Sequence, residues 1–216
     1  MAHAGACFVC LETSPPPIQM GCACRGDAGL AHIGCLVQAA ESRAAHGSNE
    51  GWWECRTCKQ DFTGATQYGL ADEWWMRMRD EPAENEDRLA AAGNLAISLG
   101  AQGKHAEAEQ MERALLDVKR RVLGPEHPHT LTTMSNLATS LRGRGKHAEA
   151  EQMEREVLDV RRRVLGPEHP DTLATLRDLT SRAVGSEDGV QMREPRASSA
   201  PPDPHPDALP AKRARR

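Results

Sequence analysis

Eight residues near the start of the chain stand at spacings that suit metal ligation: Cys7-x2-Cys10, Cys22-x-Cys24, His32-x2-Cys35 and Cys55-x2-Cys58. Eight ligands make two complete four-coordinate sites of the kind zinc prefers, and no cysteine of the 216-residue chain is left over. All seven cysteines lie between positions 7 and 58. An odd number clustered in a chain that reads as intracellular argues for thiolate ligands and against disulfides. Two residues between Cys7 and Cys10, and between Cys55 and Cys58, let a tight turn aim both sulfurs at one ion. The single residue in Cys22-Ala23-Cys24 puts both side chains on one face of an extended segment. His32 and Cys35 share a face if a helix begins there, and the alanine-rich run from Leu36 to Ala45 can continue it. Gly21, Gly26, Gly29 and Gly34 let the backbone fold close to the ions. Spacing alone permits either sequential or interleaved pairing of the ligands.

The C4HC3 order, with one residue between the third and fourth ligands and seven before the histidine, resembles the RING-CH (variant RING) zinc domain. The trailing Cys55-x2-Cys58-Lys59-x2-Phe62 is similar to that family too. The PHD finger shares the C4HC3 order and an aromatic two residues before the seventh ligand, here Trp53, but normally has a longer third-to-fourth spacing and a shorter gap before the histidine. The RING-CH resemblance implies a small zinc-stabilised α+β domain over residues 1–64, binding two Zn2+ per chain. It implies interleaved ligands, with Cys7, Cys10, His32 and Cys35 on one zinc and Cys22, Cys24, Cys55 and Cys58 on the other. Each structural zinc would supply on the order of 10 kcal/mol of apparent folding energy. The resemblance further implies an E3 ubiquitin ligase with no catalytic nucleophile, which docks a ubiquitin-charged conjugating enzyme and holds its thioester in a reactive geometry. By that analogy the docking surface uses Phe8 and Val9, one of Trp52 and Trp53, and Lys59. One departure is that Cys35-Leu36-Val37-Gln38 leads to Ala39, where RING-CH domains commonly carry Cys-Leu-x-x-Trp. A non-catalytic zinc-stabilised interaction scaffold and a PHD-type chromatin reader are the alternatives.

The elements that must position these ligands are drawn from two kinds of sequence. Only 39% of the chain is hydrophobic and 3% aromatic, and every aromatic lies before residue 76, so one large core is not expected. Beyond that point the sequence repeats: GKHAEAEQMER occurs at residues 103–113 and 145–155, and RVLGPEHP at 121–128 and 163–170, a period of 42. Leu89, Leu131 and Leu173 are equivalent, as are Leu95, Leu137 and Leu179. A fixed period in this range marks a solenoid. Within a unit, Leu131, Met134, Leu137, Ala138 and Leu141 recur at helical spacing until Gly143 and Gly145. A second stripe runs through Ala150, Met153, Val157, Val160 and Val164 to Gly166-Pro167. Each unit therefore reads as two amphipathic helices, with Glu151–Arg155 and Arg155–Asp159 pairs on the wet face.

These motifs resemble tetratricopeptide repeats of kinesin-light-chain type over about residues 84–182, with His105 and His147 where that family usually has an aromatic. The resemblance implies an all-α solenoid of helical hairpins over residues 84–184, whose groove takes a target protein or peptide. Asn94 and Asn136, at equivalent positions, resemble asparagines that hydrogen-bond a peptide backbone in related repeats; the third copy has Asp178. Residues 65–83, with a short helix over 72–78, are expected to cap the array or link it to the zinc domain, their tryptophans serving packing. His127, His129 and His169 belong to a repeated Glu-His-Pro turn and are not read as a metal site.

Residues 185–216 have the composition of a disordered tail, and Lys212-Arg213-Ala214-Arg215-Arg216 could act as a nuclear-import signal. A net charge of −4 with interspersed signs gives no electrostatic case for nucleic acid or an anionic membrane. The first thirty residues lack a signal-peptide pattern, and no apolar run is long enough to span a bilayer. The expectation is a soluble intracellular protein, cytoplasmic or nuclear.

Overall fold

The ligand-bearing segments form little regular structure of their own in a computed structural model of the chain, which describes residues 5–187. β1 (Ile18–Gln19) and β2 (Leu30–Ala31) form an antiparallel ribbon, with Ile18 opposite Ala31 and Gln19 opposite Leu30. A 3-10 turn (Gly26–Gly29) leads into β2, and His32 then opens α1 (Ile33–Ala44), the helix expected from the alanine-rich run. After a second 3-10 turn (Asn49–Trp52), α2 spans Gly64–Met78. It is longer than the helix predicted for 72–78, because Thr66, Leu70 and Trp74 form one stripe that is 0, 0 and 2% exposed.

The repeats fold as α3 (Glu86–Ala101), α4 (His105–Val122), α5 (Pro128–Gly143), α6 (His147–Val164) and α7 (Pro170–Glu187). Gly103 and Gly145 turn the chain between the helices of each hairpin at φ of 77° and 76°, where a side chain would be strained. Leu131, Met134, Leu137, Ala138 and Leu141 are at most 4% exposed and pack with Ala150 and Val157. The stripe on α6 departs from expectation at its end. Leu158 is buried, whereas Val164 lies in a last turn flanked by exposed Arg162 and Arg163 and is itself exposed. Leu173 is exposed although its equivalents Leu89 and Leu131 are buried, since among the described residues no helix follows α7 to cover it. Glu151 pairs with Arg155; the Arg155–Asp159 pair is not formed among the described residues.

α2 also obeys the repeat phase, without the repeat's sequence. Thr66, Ala108 and Ala150 are 42 residues apart and all 0% exposed; Trp74, Leu116 and Leu158 follow at 2, 3 and 6%. α2 thus stands as the second helix of a preceding unit and packs against α3 as α4 packs against α5. Its other side closes the N-terminal core, where Cys7, Leu36, Val37, Trp52 and Phe62 meet Leu70 and Trp74 in one cluster that reaches Ala91 of α3. The described residues up to 179 belong to one compact unit, and the end of α7, from 180, is set apart from it. The predicted tail lies outside the described residues from 188 onward. Among the described residues no helix is long and apolar enough to cross a membrane.

Candidate metal centre

Fold and ribbon bring the eight predicted ligands into two groups, Cys7, Cys10, His32 and Cys35, and Cys22, Cys24, Cys55 and Cys58. Within each group all ligand atoms lie within 4.8 Å of one another. The pairing is interleaved. Cys24 Sγ is 3.8 Å from Cys55 Sγ, and His32 Nδ1 is 3.4 Å from Cys10 Sγ and 3.7 Å from Cys35 Sγ. A tetrahedral zinc with about 2.3 Å bonds to sulfur and about 2.0 Å to nitrogen needs ligand separations of roughly 3.5–3.8 Å, so both donor sets fit that ion. The other ring nitrogen of His32, Nε2, meets the carbonyl oxygen of Pro15. That contact holds the tautomer in which Nδ1 is free to bind metal.

The two Cys-x2-Cys turns are built alike. The Cys7 N–H donates to Glu12 O and the Leu11 N–H to Cys7 O, both at 2.8 Å; Cys55 donates to Gln60 O and Lys59 to Cys55 O, both at 2.9 Å. Leu11 and Lys59, each directly after the second cysteine, take φ of 65° and 59° to close the turn. The Val9 N–H reaches Cys7 Sγ at 3.4 Å. Cys22-Ala23-Cys24 corrects the prediction of an extended segment: β1 has ended and the chain bends at 21–23. Gly21 causes the bend at φ 72°, against Thr63, whose hydroxyl donates to Gly21 O at 2.8 Å; a Cβ there would lie 2.4 Å from Thr63 Oγ1.

Donor chemistry agrees with geometry. Burial, together with the neighbouring thiols of Cys22, Cys55 and Cys58, pushes Cys24 up to about 12. In the same group, backbone N–H groups of Gln60 and Ala23 draw Cys58 down to about 6. In the other group burial and the thiols of Cys10 and Cys7 push Cys35 up to about 12. Burial also acts on Cys7, but backbone N–H groups of Cys10, His32 and Val9 outweigh it and hold the thiol at about 6. One thiol in each group ionises readily while a neighbour resists a second negative charge, and a divalent cation removes that conflict.

The other predicted residues fall in different settings. Phe8 and Val9 are exposed on the first turn, and Leu11, which the sequence reading did not single out, joins them at 78% exposure. Lys59 projects from the second turn, with Nζ 3.3 Å from Glu54. Trp53 is half-buried, but Trp52 is 3% exposed and stacks parallel on Trp74 at 5.7 Å, so it offers no surface. Asn94 and Asn136 line one cavity of about 170 Å³ with Glu112, Lys119 and His129, between α3, α4 and α5. Asn94 donates to Ala90 O at 3.0 Å, and Lys119 to Thr133 Oγ1 at 3.1 Å. His127 and His169 cap α5 and α7, each accepting through Nδ1 from the backbone N–H two residues on. His105 lies under Gly143, where a Cβ would come within 2.4 Å of its ring.

A charge network also escaped the sequence reading. Glu109, 5% exposed, accepts from Arg113, Arg144 and Lys146 at 3.0, 2.7 and 2.8 Å. Burial opposes its charge, but the three cations hold its carboxyl at about 2. The visible signal was Arg144, which replaces the Gln102 of the preceding unit at the base of an otherwise identical motif.

Comparison with known proteins supports the repeats. The tetratricopeptide-repeat family model matches residues 87–163. A crystal structure from Podosopora anserina, described as putative kinesin light chain nearly identical TPR-like repeats, aligns at 22% identity and TM-score 0.51, covering 74% of this chain and 68% of that one. A single-substitution variant of that protein aligns at 22% identity and TM-score 0.50 with the same coverage. No curated protein matches the chain. The chain is mostly a helical-hairpin solenoid, matched to tetratricopeptide repeats over residues 87–163, with a small N-terminal region whose two Cys/His groups can hold metal ions.

Proposed function

We propose that the protein is a protein-interaction adaptor. In this reading its N-terminal region binds two zinc ions and recruits a ubiquitin-conjugating enzyme, and its repeat array holds the target. The single observation that carries the first half is the pair of interleaved ligand groups whose first turn displays Phe8 and Val9 at 47% and 43% exposure. Apolar side chains left in water beside a metal-braced turn are suited to docking, since their burial against a partner returns free energy at about 25 cal/mol per Å². Lys59, on the matching turn, adds a cation at the edge of such an interface. The protein would act as a ligase by positioning the charged enzyme and the target together, with no covalent step of its own.

Metal analysis of the purified chain combined with autoubiquitination against a panel of conjugating enzymes tests the proposal. Two zincs per chain, activity with at least one enzyme, and loss of activity but not zinc in Phe8→Ala are expected. A second reading, a scaffold without ligase activity, is favoured by Trp52, whose burial removes one of the expected docking residues. Two zincs with neither binding nor activity across the panel would select that scaffold. Binding to histone-tail peptides in place of the enzymes would select a chromatin reader.

A further inference from the structure

The duplicated repeat provides an internal control for each of its positions. Glu112 of α4 and Glu154 of α6 are one period apart and 3% and 6% exposed. Glu154 receives the guanidinium of Arg142 at 2.6 Å. One period before Arg142 the chain has Gly100, so the first unit lacks that cation. Oε2 of Glu112 is buried with no hydrogen-bond partner among the described residues. The Ser140 hydroxyl lies beside the carboxyl, and so does Glu109, whose own charge opposes it. Gly100 has room for the start of a side chain: a Cβ there would meet nothing nearer than Ser140 Oγ at 4.0 Å. Nor does the fold require an acid there, for the equivalent residue of α2 is Leu70, at 0% exposure. Leaving one oxygen of a buried carboxylate unpaired, with no cation beside it, is costly. Its side chain lines the same 170 Å³ cavity as Asn94 and Asn136.

We propose that Glu112 receives a basic side chain from a bound partner, an arginine of an extended segment that lies between α3 and α5 beside Asn94 and Asn136. Arginine is chosen because the second unit already contains the finished pair, and because a planar guanidinium can reach a recessed carboxylate with two parallel donors. Lys119, which lines the same cavity, is engaged with Thr133. This inference rests on the reading of the array as the target-binding part.

The test is binding of the full chain to a positional-scanning library of short peptides, each position fixed in turn as Arg, Lys, Ala or Glu. Arginine should be selected over alanine at one position by about tenfold or more, the value of a charge-assisted hydrogen-bonded contact. Glu112→Gln should reduce that ratio to within about twofold, the loss expected when the charged contact goes. Gly100→Arg, which supplies the guanidinium in cis, should do the same, while Gly100→Ala keeps the selection. Glu112→Leu copies α2 and must also lose selection, which guards against a folding failure of the glutamine variant; thermal melting by circular dichroism checks each protein. Arginine selection that survives Glu112→Gln or Gly100→Arg would overturn the proposal. So would selection that appears only after Lys212, Arg213, Arg215 and Arg216 are replaced by alanine, since those residues would then be the occupant. Binding without basic preference sinks this inference alone, whereas no binding to any member sinks the groove reading with it.

Discussion

The N-terminal region has only two strands of two residues and gathers eight ligand atoms into two tight groups, whereas the array, among the described residues, has no such ligand group and builds order from one hydrophobic stripe used repeatedly. On the proposed two-zinc reading the first is held by a few strong, long-range ties, so removing one is felt throughout. The second is a sum of similar neighbour contacts, so its losses are local and graded. α2 belongs to both, with Leu70 and Trp74 in the metal-side core and Ala71 packed with Leu95, Leu99 and Ala108.

The sharpest way to break the contrast is Cys22→Ser. Because the groups interleave, loss of one ligand should release both ions, with on the order of 10 kcal/mol of folding free energy for each, collapsing the tryptophan fluorescence of the N-terminal region while far-ultraviolet helicity of the array persists. Retention of one zinc would show the two groups to be independent. Next, Trp74→Ala should cost about 3–5 kcal/mol in chemical denaturation, because it empties a wholly buried site stacked against Trp52. A fall in the stability of both regions would confirm that they share α2.

The array's own weak point is Glu112, whose carboxyl is pushed up to about 7, chiefly by burial and secondarily by the neighbouring charge of Glu109, against a hydrogen bond from Ser140. Its folded value lies above the ordinary 4.5, so the folded chain holds a proton that the unfolded chain gives up. That stabilisation is complete below pH about 4.5 and is lost as pH rises through about 7, an effect on the order of 3 kcal/mol that Glu112→Gln should flatten in melts across this window. Smallest of all, Glu151→Ala should shift stability by only a few tenths of a kcal/mol, since Glu151 makes an exposed pair with Arg155 although its equivalent Glu109 holds three cations. A larger loss would show that surface pairs matter more to the array than its stripe.

What was readable in the sequence follows the same division. Ligand identity and repeat period are properties of chemistry and spacing along the chain, and both could be read before any fold was known. So could the start of α1 and the turn inside each repeat hairpin, marked by His32 and by Gly103 and Gly145. Which four ligands share an ion depends on the ribbon that returns Ala31 to Ile18 and on the Gly21–Thr63 contact, neither of which has a local signature. The burial of Trp52 depends on Trp74, twenty-two residues on, and could not be told from exposure by composition. α2 kept the repeat's phase while losing its residues, and only coincident burial at Thr66, Ala108 and Ala150 reveals it. His127 and His169 cap helices in place of the usual Ser, Thr, Asp or Asn, which left those starts without their ordinary marker.

The near-identity of the two units also determines how such an array could grow. A further copy of residues 103–144 inserted after Arg144 would meet Lys146 at its end, so its Glu109 equivalent would again find two cations from the following segment and one from its own helix. Its Glu112 equivalent would follow Arg142 and be born paired, as Glu154 is. Each added unit would bring one arginine for the one buried acid it adds. However many copies were added, the buried acid without an arginine would stay where Glu112 is now, in the first of the matched units after the ligand-bearing region.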